Sequence, residues 1–203
     1  MNSYSDQEYE IFSRLFILKE FTENNLKKLA NINIGIVGVG GIGCPLSQYL
    51  VSSGIKQLTL VDGDIVEKKN LNRQILFNLN DIGYKKVNVD KKKLLLINSD
   101  CKINLIDTNI NDKNIANLSQ CSIIVDATDD WKTSKFLNKY CINNSINFLY
   151  SSVIKHDLQI MLFNNTDKSK HLCLNCIFPN KDDVDLPRCE TVGISGISAR
   201  LAG

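Results

Sequence analysis

The amino-acid sequence predicts an α/β protein: a doubly wound, mainly parallel β-sheet with helices on both faces. Two observations carry that expectation. Short apolar runs alternate with helix-like stretches over roughly 150 residues, the pattern of strands feeding crossover helices. The first of these runs ends in Gly38-Val39-Gly40-Gly41-Ile42-Gly43, which fits G-x-G-x-x-G between a strand and a helix.

Element by element, residues 5–30 read as helical. Ile11, Leu15 and Leu18 fall on one helical face, and Leu26 and Leu29 continue it. Ile32 to Val39 is a short apolar run of the kind that forms a buried strand. A helix is expected from Pro45 to Ser53, with proline in its first turn and Gly54 ending it. Gln57 to Val61 is the second strand, closed by Asp62-Gly63-Asp64. Residues 83–98 read as a lysine-rich helix, Lys102 to Ile106 as a third strand and Cys121 to Ala127 as a fourth. Trp131 to Asn143 is a helix, followed by strands at Ile146 to Val153 and Leu158 to Phe163. Residues 165–190 are a polar, cysteine-containing loop, and Gly193 to Gly203 is small-residue-rich and suits the start of a buried helix. One nucleotide-binding domain over 1–203 is the expected organisation.

Composition narrows the classes. Hydrophobic residues make up 43% and charged residues 23%, and a net charge of +2 gives no reason to expect nucleic acid or an acidic membrane surface. No apolar run is long enough to cross a bilayer, and the polar N-terminus lacks the basic start and apolar middle of a signal peptide. The expectation is a cytoplasmic protein whose seven cysteines are reduced.

The glycine motif suits a phosphate. Glycines let the backbone turn tightly and approach the anion, and the helix N-terminus offers unpaired N–H groups. Asp62 ends the next strand, where an acid binds ribose hydroxyls in Rossmann-like folds. This much favours a nucleotide without choosing between NAD and ATP. The choice comes from Asn70-Leu71-Asn72-Arg73-Gln74, Lys86, and Asp126-Ala127-Thr128-Asp129-Asp130. Cations and a metal-holding acid around the phosphates serve displacement at the α-phosphate, where charge develops on phosphate oxygens and leaving pyrophosphate.

On these segments the chain resembles ThiF/MoeB-type adenylyltransferases, relatives of ubiquitin-activating enzymes, from about Ser5 to its last residue. The resemblance implies ATP and magnesium as cofactors. It implies that Gly38, Gly40, Gly41 and Gly43 pack against the nucleotide and that Asp62, with Asp64 beside it, binds ribose. It implies that Asn70, Arg73 and Lys86 contact the triphosphate with Gln74 in support, and that Asp129 holds magnesium. Asp130 stands where the family has Asn. Arg14 matches an arginine that reaches into a partner subunit's site, which implies a homodimer, although the surrounding Ile11-Phe12-Ser13-Arg14-Leu15 departs from the family's Arg-Tyr-x-Arg-Gln. Simpler readings stand beside these. Lys86 can be one solvated lysine among Lys85–Lys93, and Asp129 can be a helix cap.

Cys173-Leu174-Asn175-Cys176 has zinc-ligand spacing, but one pair is half a site. A redox dithiol and two plain loop cysteines are the alternatives. The resemblance implies a second pair in further sequence beyond Gly203; His171 and Cys189 are weaker substitutes as ligands. Cys189 also matches a cysteine that transfers sulfur in the thiamin branch of the family, against an ordinary loop thiol.

The leading expectation is ATP-dependent adenylation of the C-terminal glycine carboxylate of a ubiquitin-like sulfur-carrier protein ending in Gly-Gly, for thiamin or molybdopterin synthesis, with a sulfur donor protein following. Other carboxylate or tRNA-base substrates of the same chemistry, an NAD-dependent oxidoreductase, and a truncated non-catalytic nucleotide-binding homologue are the alternatives.

Overall fold

In a computed structural model, residues 6–167, 172–179 and 195–203 are described. Six strands form one sheet in the order β3-β2-β1-β4-β5-β6. They are β1 (Asn33–Val37), β2 (Gln57–Val61), β3 (Lys102–Ile106), β4 (Ile123–Asp126), β5 (Asn147–Ile154) and β6 (Asp157–Phe163). Strands β1 to β5 pair in parallel, and β6 returns antiparallel along β5. The order reverses at β1, which lies between β2 and β4, and such a switch point opens a crevice at the C-terminal ends of the strands.

Alternation along each strand sorts two cores. Ile34, Ile36, Leu58, Leu60 and Val125 turn to the side of α3 (Gly43–Ser52) and α4 (Lys86–Ile97). Val37, Val61, Ile124, Phe148 and Tyr150 turn to the side of α5 (Trp131–Asn144). Both faces are covered, so the central strands read as unbroken apolar runs. The mainly parallel sheet with helices on both faces is as the sequence predicts. The fourth strand is shorter than expected, ending at Asp126 rather than Ala127.

The N-terminal segment differs. Residues 5–30 are not one helix but α1 (Asp6–Ile11), a run of turns, and α2 (Glu23–Ala30). Thr22 restarts the helix as its N-cap, its hydroxyl accepting from the Asn25 N–H at 3.3 Å. The apolar face shifts with it. Ile11 and Leu18 are 60% and 49% exposed, whereas Phe12 and Leu26 are buried. Phe12 fits because Gly54 lacks a side chain: a Cβ there would sit 3.2 Å from the ring.

Two short elements complete the described chain: α6 (Leu174–Ile177) and α7 (Gly196–Ala202). The C-terminal segment is helical as expected, with Ser198, Ala199 and Ala202 buried. The Ser151 hydroxyl donates to the Ala202 carbonyl at 3.1 Å, holding α7 to β5. No helix among the described residues is long and apolar enough to cross a membrane.

Candidate active site

The crevice at the switch point is a cleft of about 700 Å³. The glycine loop forms its floor. Gly38 leaves β1 at φ +95°, a conformation glycine adopts without strain, and a Cβ there would meet the Ala127 carbonyl at 2.7 Å. Gly43 opens α3 so close to the loop that a Cβ would stand 2.0 Å from the Gly38 carbonyl oxygen. Asp62 ties the loop to β2. Its Oδ2 accepts from the Val39 N–H and its Oδ1 from the Asp64 N–H, each at 2.8 Å. A carboxylate has about four acceptor positions, so two remain for ribose hydroxyls.

Lys86 is the first residue of α4 and only 5% exposed. Its Nζ lies 2.8 Å from Asp64 Oδ2 and 4.0 Å from Asp62 Oδ2. The main chain sets this position, since the Lys86 N–H donates to the Asp64 carbonyl and Ile65 bridges to Lys85. A solvated surface lysine is therefore excluded. A buried ammonium needs acids to hold it, and Asp64 and Asp62 do so at the cleft wall. Beneath it on the same face of α4 come Asp90 and Lys93. Asp90 is fully buried against the Ser47 hydroxyl, and loss of solvent pushes its carboxyl well above the usual carboxylate range. Lys93 pairs with Asp81 and donates to the Leu76 carbonyl, anchoring the far end of the loop that carries Arg73.

That loop begins with a tight turn at Lys68–Asn70, closed by reciprocal Glu67 and Asn70 contacts. Asn70 is buried, its Oδ1 accepting from the Glu67 N–H at 2.9 Å. Gln74 is buried too, and its Oε1 has no protein partner among the described residues. Arg73 Nη1 donates to the Lys69 carbonyl and to Asn72 Oδ1, both at 3.2 Å. No carboxylate among the described residues pairs with it. Its Cγ and Cδ lie 3.4 Å from where a Gly41 Cβ would stand, so the stem crosses the glycine loop.

The other wall follows β4. Asp129 is exposed and lines the cleft, and no hydrogen bond among the described residues holds its carboxylate. The helix cap falls to its neighbour: Asp130 Oδ2 accepts from the Thr133 N–H at 3.0 Å and the Thr133 hydroxyl at 2.7 Å. That corrects the cap reading of Asp129 and leaves its carboxylate for a cation. Magnesium commonly takes one or two carboxylates plus substrate phosphates, so an exposed Asp129 beside the cleft fits it. The turn is braced by Asp126, whose Oδ1 accepts from the Thr128 N–H and hydroxyl at 3.0 and 2.7 Å.

Burial pushes the Asp126 carboxyl up to about 6, against the opposing Ser134 and Thr128 hydrogen bonds and helped by the Asp130 charge. Unfolded, an aspartic acid titrates near about 3.9. The folded state thus holds the extra proton between the two values, and stability contributed below about pH 4 is lost as pH rises through about 6. Asp126→Asn should remove that loss, so its melting temperature should gain on the wild type between pH 4 and 7. Parallel melting curves across that range would show that Asp126 does not titrate there.

Asp62, Asp64, Asn70, Arg73, Gln74, Lys86, Asp129 and the glycines at 38, 40 and 41 all line this one cleft. Arg14 does not; it is exposed in the turns after α1. Cys189, with His171, lies outside the described residues. Cys173 and Cys176 lie apart from the cleft with their Sγ atoms 3.3 Å apart. Partial burial raises the Cys173 thiol, but hydrogen bonds from Cys176, Asn175 and Asn138 outweigh it and leave the pKa below the ordinary thiol value. Among the described residues no group of three or more His, Cys, Asp or Glu is placed to hold a metal, so the pair is half a zinc shell there. The cleft also takes Asn109, Ile110, Lys132, Thr133, Ser152 and Val153, which the motifs do not mark. Asn109 follows β3, and its side chain would meet a Cβ on Gly63 at 2.6 Å. Position past a strand's C-terminal end was the one signal that pointed to it.

The ThiF family model matches residues 12–203. The chain is 30% identical over 202 residues to a probable molybdopterin-synthase adenylyltransferase of Porphyra purpurea, covering 99% of this chain and 53% of that protein. It is 26% identical over 193 residues to the sulfur carrier protein ThiS adenylyltransferase of Escherichia coli K12, covering 95% of this chain and 76% of that one. Among solved structures, E. coli MccB superposes with a TM-score of 0.82 at 26% identity, over 98% of this chain and 60% of that chain. A complex of MccB with ATP superposes at 0.76 with 25% identity, over 99% of this chain and 61% of that one. The chain therefore spans about half the length of the first of these relatives.

Proposed function

The chain belongs to the ThiF family, and from that premise we propose that it adenylates the C-terminal glycine carboxylate of a ubiquitin-like sulfur-carrier protein, using ATP. The observation that carries this reading is the convergence on the glycine loop of a buried, acid-held Lys86 and of Arg73, which no carboxylate among the described residues pairs, with Asp129 on the facing wall. A hydride-transferring site has no general need for an arginine, a lysine and an aspartate arranged around the phosphates.

In this reading Asp62 receives the ribose hydroxyls, and the loop N–H groups receive the phosphates. An ionised carboxylate oxygen of the carrier attacks the α-phosphorus, and the bond to the bridging oxygen of pyrophosphate breaks. No proton has to move in that step. What the site supplies is positive charge where negative charge accumulates, in a fixed arrangement that needs no reorganisation. Lys86 and Arg73 supply it from one side. Gln74, with an unused buried Oε1, is placed to orient a donor group of the substrate or an ordered water. Asp129 would hold magnesium, which neutralises phosphate charge when bound.

The relatives named for molybdopterin synthase and for ThiS support a sulfur carrier as the substrate class. Thiamin and molybdopterin synthesis are both open destinations. Arg14, exposed and away from its own cleft, suits a role in the site of a second copy, and a sulfur donor would act on the adenylate afterwards, with Cys189 as the candidate relay. Zinc would take Cys173 and Cys176 together with two ligands from outside the described residues. A cytoplasmic location goes with this chemistry.

ATP–pyrophosphate exchange with magnesium and a panel of Gly-Gly-ended carriers tests the reading. Exchange that appears only with a carrier is the expected result and names the partner. ATP binding with no exchange for any carrier would transfer the assignment to a non-catalytic nucleotide-binding protein.

A further inference from the structure

Asp90 has no part in the chemistry above, yet it is 0% exposed on α4, one turn beyond Lys86. It lies outside the lining of the cleft and meets α3, the helix that follows the glycine loop. A buried carboxyl needs a partner. Neither ammonium of α4 serves it: Lys86 is held by Asp64, and Lys93 by Asp81 and the Leu76 carbonyl. Its hydrogen-bond contact among the described residues is Ser47, also 0% exposed, whose Oγ lies 3.3 Å from Asp90 Oδ2 and 3.4 Å from Oδ1.

Protons decide the direction of that contact. A hydroxyl carries one proton and two lone pairs. Ser47 donates its proton to the Cys44 carbonyl at 2.9 Å, the shortest of its contacts. Cys44 offers nothing in return, since its thiol donates to the Val39 carbonyl at 3.6 Å. An ionised Asp90 would then be a buried anion with no donor among the described residues. A protonated Asp90 carries a donor of its own, and Ser47 Oγ has a lone pair to receive it. The titratable groups of this cluster are Cys44 of α3, Asp62 after β2, and Lys86 and Lys93 of α4. Loss of solvent and the negative Asp62 favour the protonated acid, and they outweigh even a Ser47 hydroxyl turned toward it and the positive Lys93.

We propose that Asp90 is a positioning residue for the nucleotide site: a neutral acid whose O–H is donated to Ser47 Oγ, tying α4 and its Lys86 to α3 and the glycine loop. The bond fixes the spacing between the lysine and the loop N–H groups that receive the phosphates. Neutrality also keeps a third negative charge from joining Asp62 and Asp64 around Lys86. This inference rests on the ATP-binding part of the adenylation reading.

The test compares the full chain with Asp90→Asn, Asp90→Leu and Ser47→Ala, by melting curves from pH 5 to 8 and by Mg–ATP binding at pH 7. An unfolded aspartic acid titrates near about 3.9, so a folded state that keeps the proton loses stability as pH rises above that value. The folding equilibrium of the wild type should fall about tenfold per pH unit relative to Asp90→Asn, until Asp90 itself ionises. Asp126 is common to both chains and cancels. Asp90→Leu fills similar space without a donor and should weaken ATP binding by about tenfold. Asp90→Asn, whose amide N–H donates to Ser47 as the acid does, should restore it. Ser47→Ala removes the acceptor instead and should cost a similar factor, so the outcome does not depend on Asp90→Leu folding. Parallel pH curves for wild type and Asp90→Asn would overturn the proposal, because Asp90 would then be ionised in the fold. Full ATP affinity in Ser47→Ala would overturn it too. A wild-type chain that binds no ATP would instead overturn the nucleotide reading, and this one with it, whatever the pH curves show.

Discussion

Arg73→Ala is expected to lower carrier-dependent ATP–pyrophosphate exchange by about 100- to 1000-fold, the usual cost of losing one transition-state donor. The structure makes this arginine hard to replace by its neighbours. Its guanidinium is steadied by an uncharged carbonyl and an amide oxygen, and no acid among the described residues draws on its charge. Its stem lies over Gly41, where any side chain would press on it. Lys86, by contrast, is shared with Asp64 and Asp62 and already partly neutralised. The loss should therefore fall mainly on the rate, with a smaller change in ATP affinity. Arg73→Lys should recover only part of it, because an ammonium lacks the planar fork that grips two phosphate oxygens. Arg73 is part-exposed and its partners are local, so melting temperature should barely move. An undiminished exchange rate in Arg73→Ala would remove this residue from the chemistry.

Gly43→Ala should damage the protein itself. The added Cβ would stand 2.0 Å from the Gly38 carbonyl oxygen and 3.0 Å from its carbon. Both atoms are backbone, and Gly38 is itself wedged against Ala127, so neither side can yield without moving the loop or the start of α3. Forced overpacking of this kind costs about 3 kcal/mol. For a chain of this size that is roughly 10 °C in melting temperature. Stabilisation by added ATP should vanish with it, since the loop N–H groups no longer converge. Gly40→Ala is the control. Its Cβ would meet nothing closer than Gln74 Nε2 at 3.7 Å, so the fold should survive while any loss falls on nucleotide binding. Equal melting temperatures for Gly43→Ala and wild type would mean that the loop is not packed as described.

Cys173 and Cys176 illustrate how a local pattern can underdetermine its chemistry. C-x-x-C spacing suits a zinc half-site, a dithiol or chance. The described structure adds that the two sulfurs already face each other and that no third described ligand stands beside them. The same limit appears at Asp129 and Asp130. Two adjacent acids before a helix are equivalent on paper, and only the Thr133 contacts show that Asp130 is the cap.

The architecture and the floor of the site were legible in residue types along the chain. A strand buried on both faces is written as a mainly apolar run, and β2 falls on Gln57–Val61 as that run requires, whereas β3, at the sheet edge, alternates and exposes Lys102 and Asn104 on either side of buried Ile103. A backbone that turns at the end of β1 and approaches an anion must be glycine, so the loop at 38–43 is legible from residue types alone. Features that depend on segments distant along the chain emerged only from their packing. Lys86 is one of several lysines in a row until Asp64, 22 positions away, buries and holds it. Asn109 is an ordinary loop asparagine until it packs on Gly63. Phe12 replaces Ile11 and Leu18 in the core because Gly54 leaves room for a ring. Local periodicity reports which face of an element is apolar, but a partner from another part of the chain settles which side chain on that face is covered.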